Sequence, residues 1–412
     1  MNNGIKRNMK LLVIGWMLLM GISSCGCQKD DREDPVDGVQ PKDVVKTNPA
    51  KVYMHVMPWF NSKDHSGYWG IHWKMGNKNP ETILPNGQRE IASHYYPLIG
   101  PYDSGDPDVI DYQLLLMKYA GVDGVLIDWY GSYNILDYGA NLINSNAIVA
   151  GVKRVGLEFG IIYEDNVANE AARRTTDTEI EAAKKDFNYV REHYFSSDRY
   201  IQIEDKPLLM TFGPRYFTSP AQWTEILSVL SKKPAFFPLW DHTHRTGTSN
   251  STGEYSWVDF DPTLSKLDHF YQATNHGLSM GSAYPGFHDF YKQGGWGDSY
   301  GFVDLTDGET LKQTLQKAKS SQVPYLQLVT WNDYGEGTMI EPTVEFQYQF
   351  VDILQEFTGV TYRQSELETI ANYYKKRKEY KTNPEAQKTL DLIFNALIQL
   401  DVSKANELLH NL

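Results

Sequence analysis

Three observations in the sequence predict an α/β fold of the (β/α)8, or TIM barrel, class with long βα loops. Short apolar runs alternate with helical patterns eight times between about residues 51 and 359, which implies right-handed βαβ units and a parallel sheet. Polar and aromatic residues follow nearly every apolar run, as expected for a ring of loops at one end of a barrel. The alternative, a doubly wound sheet, lacks the GxGxxG turn expected after its first strand.

Eight apolar runs are the predicted barrel strands. In chain order they cover residues 52–57, 122–128, 157–163, 207–211, 235–239, 269–272, 278–283 and 325–329. The first of them is followed by a long polar loop that contains several tryptophans, and a loop of that length inside a compact domain is usually functional or disordered. The three tryptophans in and before this loop favour a functional role.

Helical signals lie between the predicted strands. Asp106 is a predicted N-cap and Pro107 a first-turn residue, while apolar spacing from Val109 to Met117 continues the helix and Gly121 ends it. Further helices are predicted over residues 141–154, 177–194, 220–232 and 308–320.

The first 25 residues have the layout of an export signal. Three cations precede an apolar run over 11–22, which is short for a membrane span, and the run leads to Ser23-Ser24-Cys25. This ending resembles the lipobox of bacterial lipoproteins, in which Cys25 would be lipidated; the alternative is an ordinary signal peptide with a chance cysteine. The charged stretch 29–34 resembles the surface-export signal of Bacteroidetes lipoproteins, which predicts an outer-membrane, cell-surface protein.

The chain thus divides into four predicted segments. They are a signal peptide over 1–25, a flexible tether over 26–50, a barrel domain over 51–359 and a C-terminal helical extension over 360–412. Amphipathic patterns over 366–381 and 384–412 predict helices that pack on the barrel, and a partner-binding tail is the alternative.

Composition limits the classes of function. The net charge of −13 argues against nucleic acid, whose binding needs a basic patch. Aromatic residues make up 13% of the chain, which suits a sugar-binding cleft, although a large α/β core also takes aromatics. The two cysteines, Cys25 and Cys27, both lie near the N-terminus, so the remaining chain has no disulfide or thiolate metal site.

The most informative stretch follows the last predicted strand and runs from Thr330 to Gly337. Asp333 and Glu336 are three residues apart in it, on a loop that its glycines allow to bend sharply. Two carboxyl groups at one site are the minimal equipment for cleaving a glycosidic bond. The alternative is a polar turn with a helix-capping carboxylate.

Residues 330–342, together with 57–60 and 124–130, resemble glycoside hydrolase families 71 and 99. The resemblance covers most of residues 51–359. Family 99 implies an endo-α-1,2-mannosidase or mannanase that retains configuration. In that family a glutamate takes the place of Asp333 and deprotonates the sugar 2-hydroxyl, giving a 1,2-anhydro sugar. Family 71 implies an inverting α-1,3-glucanase and carries the run WNDYGE, which spans 331–336 here. Residues 337–338 and 340–342 are more similar to family 99.

The resemblance assigns catalytic roles to two residues. Glu336 is the predicted general acid, because both families place the acid there, and its alternative role is to cap a helix. Asp333 is the predicted base, acting on water or on the 2-hydroxyl, and its alternative role is to orient Glu336. An aspartate is one methylene shorter than the family 99 glutamate, about 1.5 Å in reach.

Ten further residues are predicted to bind substrate because they lie at strand ends or in the loops that follow. They are Trp59, Trp73, Asp128, Trp129, Tyr130, Glu164, Tyr284, His288, Asn332 and Tyr334. Each has a structural alternative, such as helix capping for Glu164 and loop packing for the tryptophans. His242 and His244 are close in sequence but have no apparent third ligand, so no metal and no cofactor is predicted.

The sequence therefore predicts a glycoside hydrolase of α-linked polysaccharide, most like an endo-α-mannosidase. The alternatives are an α-1,3-glucanase and a non-catalytic surface glycan-binding lipoprotein. The predicted partners are an α-linked glycan, a membrane reached only through the lipid anchor, and other surface polysaccharide-utilisation proteins. Sugar transfer is disfavoured by the export signal.

Overall fold

The computed structural model describes residues 38–273 and 277–412. The predicted signal peptide, the lipidation residue Cys25 and residues 26–37 of the predicted tether lie outside the described residues. Within the described ranges, no helix has both the length and the apolar character needed to cross a membrane.

Eight parallel strands of the described chain form the barrel. They are β1 (Lys51–Val56), β2 (Gly124–Trp129), β3 (Glu158–Tyr163), β4 (Lys206–Thr211), β5 (Ala235–Pro238), β6 (Gly253–Tyr255), β7 (Leu278–Ala283) and β8 (Tyr325–Leu328). They pair in the order β5-β4-β3-β2-β1-β8-β7-β6. A parallel bridge between Leu239 and Tyr255 joins β5 to β6, where the Trp240 N–H donates to the Tyr255 carbonyl at 2.8 Å. The ring is therefore closed, and the predicted (β/α)8 class is confirmed.

Register is set at the first and last strands. Met54 of β1 lies opposite Val125 of β2 on one side and Leu328 of β8 on the other. Because the strands are parallel and sheathed by helices, they are buried on both faces, and the burial of β2 is complete along its length.

The predicted sixth strand, 269–272, is wrong. These residues end the helix Ser265–Gln272, in which Leu267 and Phe270 are buried at helical spacing. The sixth barrel strand is Gly253–Tyr255, and its three residues are too few to show an apolar period. The aromatic residues near position 270 produced the stronger apolar signal, although they belong to a helix.

Helices follow the strands around the barrel. They span Ile71–Lys74, Pro107–Tyr119, Tyr138–Val155, Asn166–Ala172, Glu179–His193, Pro220–Leu227, Thr243–Thr246, Ser265–Gln272, Tyr291–Gly294, Glu309–Ser320 and Gln349–Thr358, with a 3-10 turn at Thr306–Gly308. Two-residue strands lie at Gln202–Ile203, Phe287–His288 and Phe302–Val303. The predicted N-cap is confirmed, since the Asp106 side chain accepts a hydrogen bond from the Asp108 N–H.

Three C-terminal helices, Gln364–Glu379, Pro384–Ile398 and Val402–His410, pack beside the barrel. Their attachment includes a hydrogen bond from the Tyr119 hydroxyl to the Leu397 carbonyl at 2.9 Å and contact between the rings of Tyr112 and Tyr374 at 5.1 Å. The pattern predicted as one helical stretch over 384–412 is broken near Leu400, whose φ is 63°.

Candidate active site

A cleft of about 240 Å³ opens where the carboxyl ends of the strands meet. Its lining comes from seven strand ends or the loops that follow them: His55, Met57, Trp59, Asp128, Tyr130, Glu164, Phe212, Arg215, Trp257, Tyr291, Tyr300, Asp333 and Glu336. Barrel enzymes carry their chemistry at this end, because the βα loops converge there. The arrangement brings four carboxyl groups together from three strands that are far apart in sequence.

The loop after β8 is folded by its own hydrogen bonds. The Asp333 N–H donates to the Thr330 hydroxyl at 2.8 Å, and the Glu336 N–H donates to Asp333 Oδ1 at 2.9 Å. Gly337 has a φ of 65°, and a Cβ there would lie 2.5 Å from the carbonyl oxygen of His288. A glycine is therefore required at this position, and the turn it allows holds Asp333 and Glu336 beside each other in the cleft.

Asn332 and Tyr334 anchor this loop from below. Asn332 is fully buried: its Oδ1 accepts from the Met57 N–H at 2.8 Å, and its Nδ2 donates to the Met57 carbonyl at 3.0 Å. The Tyr334 hydroxyl donates to Glu341 at 2.9 Å. Both were predicted to bind substrate, but the structure places them in the core, where Asn332 ties the loop to the end of β1 and Tyr334 ties it to Glu341.

The carboxyl groups of the cleft resist ionisation. Burial raises the pKa of Glu336 to about 8, assisted by the negative charge of Asp333, and burial raises the pKa of Asp333 to about 7. Burial also raises the pKa of Glu164 to about 7. The pKa of Asp128 is also raised well above its ordinary range, because Asp128 is desolvated and lies close to the other three carboxylates. Carboxyl groups with pKa values raised in this way are typical of catalytic sites.

Arg215 and Tyr291, which were not predicted from the sequence, partly offset the raised pKa values of these carboxyl groups. The exposed Arg215 side chain lies over the Phe212 ring at 4.9 Å, and its positive charge lowers the pKa of Asp128, Glu164 and Glu336. The Tyr291 hydroxyl donates to Glu336 Oε1 at 3.1 Å and so also favours its carboxylate.

Arg215 carried a usable signal in the sequence. It follows the apolar run of β4 by four residues, the same type of position at which Asp128 and Glu164 were selected. The other unpredicted lining residues are His55, Met57, Phe212, Trp257 and Tyr300. His55 and Met57 sit at the end of β1, where nothing distinguishes them from core residues in a sequence.

Six residues predicted for the site are brought together in the cleft. They are Trp59, Asp128, Tyr130, Glu164, Asp333 and Glu336. Trp59 also stacks on His72, with ring centroids 4.3 Å apart and planes 5° apart. The structure thus gives these side chains a shared cavity, while their roles towards a substrate stay predictions.

Trp73 and Trp129 lie outside the cleft, at odds with their predicted substrate contact. Trp73 has no exposed surface and donates through Nε1 to the Tyr102 carbonyl at 2.8 Å. Trp129 is also fully buried and packs on Tyr189. Neighbouring residues of a strand point to opposite faces, so Asp128 enters the barrel while Trp129 meets the surrounding helices.

Tyr284 and His288 also lie away from the cleft. Tyr284 is fully buried, and its hydroxyl donates to the Asp259 carbonyl at 3.1 Å. The His288 ring stacks on His94 with centroids 3.7 Å apart. Both residues follow the end of β7, in the segment that leads to Tyr291.

The histidines considered for metal binding have other contacts. His242 Nδ1 lies 2.8 Å from the Trp240 carbonyl oxygen, and the rings of His242 and His244 are 6.2 Å apart. Across residues 38–273 and 277–412, no group of three or more His, Cys, Asp or Glu side chains is placed to hold a metal ion.

We expect Asp128→Asn to stabilise the fold at pH 8. The folded-state pKa of Asp128 is raised, so the folded chain binds this proton more tightly than the unfolded chain, and stability is lost as pH rises from about 4, the ordinary pKa of an aspartate. Asparagine cannot ionise and avoids this loss. Thermal unfolding at pH 4 and pH 8 should show a melting temperature a few degrees above the parent's at pH 8, with a smaller difference at pH 4. A lower melting temperature at both values would contradict the charge argument.

Comparison with known proteins finds relatives among the endo-alpha-1,2-mannosidases. The chain matches no profile of a known protein family. It is 21% identical over 318 residues to a glycoprotein endo-alpha-1,2-mannosidase-like protein of Mus musculus, covering 69% of this chain and 68% of that protein. It is 21% identical over 345 residues to the glycoprotein endo-alpha-1,2-mannosidase of Xenopus laevis, covering 75% and 74% of the two chains.

Solved structures show the same fold. A GH99 endo-alpha-mannosidase from Bacteroides thetaiotaomicron has a TM-score of 0.59 at 18% identity, covering 78% of this chain and 98% of that chain. A glycoside hydrolase-like protein has a TM-score of 0.54 at 13% identity, covering 80% and 100%. The chain is therefore similar to endo-alpha-1,2-mannosidases in sequence and to a GH99 endo-alpha-mannosidase in fold, and the predicted resemblance to family 99 is confirmed.

Proposed function

We propose that this chain, a family 99-like protein, is a glycoside hydrolase that cleaves α-mannosyl glycans internally, with Glu336 and Asp333 as its catalytic pair. The observation that carries the proposal is the pair itself. Two carboxyl groups lie on one turn after the last barrel strand, in a cleft with two more carboxyl groups and several aromatic rings. Binding alone does not require such a costly concentration of buried acids.

Glu336 is proposed as the general acid. Its pKa, raised to about 8 by burial and by Asp333, keeps a proton on the side chain near neutral pH. An acid whose pKa lies near the working pH can donate to the glycosidic oxygen as the bond breaks. The hydrogen bond from Tyr291 to Oε1 holds the group in place.

Asp333 is proposed as the base. Two backbone N–H groups of the turn, those of Gly335 and Glu336, donate to the Asp333 carboxylate and lower its pKa, which favours the ionised form. The charge of Asp333 in turn raises the pKa of Glu336 and favours its protonated form, so the contacts of the turn suit a base beside an acid. By the family 99 resemblance, Asp333 removes the proton of the sugar 2-hydroxyl, which attacks the anomeric carbon while Glu336 protonates the leaving oxygen.

An α-mannan is favoured over α-1,3-glucan, because the Xenopus laevis relative and the Bacteroides thetaiotaomicron structure are described as endo-α-mannosidases and the Mus musculus relative as endo-α-1,2-mannosidase-like. The alternative of a binding protein without activity is disfavoured, because glycan binding alone would not need both Asp333 and Glu336 in the cleft. We also propose the cell-surface lipoprotein location, which rests on the sequence of residues 1–34 alone.

Internal cleavage is tested by the sizes of the products. We expect the purified protein to release a mixture of oligosaccharides from yeast α-mannan early in the digest, before free mannose accumulates. Chromatography of timed samples measures this directly. Release of mannose alone from the first minutes would contradict internal cleavage while leaving hydrolysis intact.

The hydrogen bond from Tyr291 makes a prediction about pH. Removing it with Tyr291→Phe takes away a group that favours the Glu336 carboxylate, so the pKa of Glu336 rises further. The general acid then keeps its proton to higher pH, and the alkaline limb of kcat/KM should move upward. Tyr300→Phe, at a neighbouring tyrosine of the cleft, is the matched control and should leave that limb in place. A downward shift in Tyr291→Phe would contradict the assignment of Glu336 as the acid.

A further inference from the structure

We propose that an exposed aromatic surface beside the cleft is an outer binding site for the glycan chain, extending the substrate site beyond the cleaved linkage. This surface, the outer aromatic strip, consists of Trp296, Tyr300, Phe302 and Phe260. The inference rests on the proposed function for its ligand class. It adds a site that lies outside the catalytic cleft except at Tyr300.

The strip is unusually exposed for its composition. The exposed fractions are 41% for Trp296, 70% for Tyr300, 57% for Phe302 and 44% for Phe260. Large apolar side chains gathered on one surface mark a site of interaction, whereas single exposed residues do not. Four aromatic rings on one segment and its neighbour therefore call for an occupant.

Trp296 and Tyr300 join the strip to the catalytic cleft. The Tyr291 ring, whose hydroxyl bonds to Glu336, lies 6.4 Å from the Trp296 ring at an angle of 14° and 5.2 Å from the Tyr300 ring. On its other side, Trp296 lies 5.7 Å from His72, the residue that stacks on Trp59 of the cleft. A chain leaving the cleft in this direction passes onto the strip.

The strip is also held in shape before any ligand arrives. Asp289 is buried, and its Oδ2 accepts from the Ser299 hydroxyl and from the Tyr300 N–H, each at 2.8 Å. Phe302–Val303 pairs with Phe287–His288 as antiparallel strands. A Cβ on Gly301 would lie 2.9 Å from Phe260, so the two segments are in contact. A prearranged surface loses less entropy on binding.

A neutral glycan is the occupant that these observations favour. The cleft of about 240 Å³ is smaller than the ~300–1,000 Å³ of typical small-molecule sites, so it encloses only a short part of a polysaccharide. The remaining sugars must lie on the surface beside it. Flat apolar rings match the C–H faces of sugars, and the strip continues from the group proposed to protonate the scissile oxygen.

The test is the retardation of the full chain during electrophoresis through gels that contain yeast α-mannan. All proteins carry Glu336→Gln so that the gel polymer stays intact. The double variant Trp296→Ala with Phe302→Ala should bind at least about fivefold more weakly, as expected when anchoring aromatic residues are truncated. Leu392→Ala, which truncates a residue 53% exposed on the helix Pro384–Ile398, is the matched control and should be retarded like its background. Thermal unfolding confirms that each variant is folded.

The outcomes separate this inference from the proposed function. If the double variant and its Glu336→Gln background are retarded equally, the strip is not a glycan-binding site. The same conclusion follows if the parent cleaves mannan but the Glu336→Gln protein is not retarded at all. Retardation that depends on the strip, with no cleavage by the parent, supports the strip and overturns hydrolysis. A protein that neither binds nor cleaves mannan overturns both.

Discussion

Glu336→Gln should lower the rate of mannan cleavage by roughly 10²–10⁴-fold, the usual contribution of a general acid. Glutamine has the shape of glutamate but no proton to donate to the leaving oxygen. It can still accept the hydrogen bond from Tyr291, so the cleft should keep its form. We therefore expect kcat to fall and mannan binding to persist. Initial rates and gel retardation measure the two effects separately.

The matched control is Glu385→Gln. Glu385 is an exposed glutamate that forms an ion pair with Lys388 on the same helix, Pro384–Ile398. This change should leave the cleavage rate within about twofold of the parent, since exposed ion pairs contribute little. If Glu336→Gln kept a kcat near that of the parent, Glu336 could not be the general acid, because glutamine cannot donate the proton.

Asp333→Asn should cause a loss of similar size, for a different reason. Asparagine cannot accept a proton from the 2-hydroxyl or from water, although its side-chain oxygen can still receive the Glu336 N–H. The pKa of Glu336 should also fall, because the charge of Asp333 is one of the causes that raise it. We expect the residual activity to show an alkaline limb at lower pH than in the parent.

The stereochemistry of the product distinguishes the two routes open to Asp333. If it deprotonates the sugar 2-hydroxyl, as in the family 99 resemblance, the first product formed keeps the α configuration. If it activates water directly, the configuration inverts. We expect retention, and proton NMR of the reducing end in the first minutes measures it. Inversion would indicate the mechanism of family 71, with Asp333 and Glu336 as the same acid and base pair.

The barrel was predictable because its signals are local and repeated. Each long strand is an apolar run of five or six residues followed by polar residues, and β1, β2 and β3 fall within two residues of their predicted bounds. The exception, β6, is too short for such a signal. Its place in the ring depends on pairing with β5 and β7, which no local pattern encodes.

The site was predictable only in part, because position at a strand end does not fix the direction of a side chain. Asp128 and Trp129 are adjacent, yet one enters the cleft and the other the core. The loop after β8 shows the same division, since Asp333 and Glu336 line the cleft while Asn332 and Tyr334 are buried beneath it. Tyr291 comes from a loop whose path depends on tertiary contacts, which no local pattern predicts. Arg215 could have been predicted, because it follows the apolar run of β4 by four residues.

The most direct test of the central claim is a side-by-side digest of yeast α-mannan and α-1,3-glucan by the parent protein and by Glu336→Gln. The account predicts that the parent releases oligosaccharides from mannan, that Glu336→Gln does not, and that neither acts on the glucan. Release from the glucan alone, or equal release by both proteins, would contradict it.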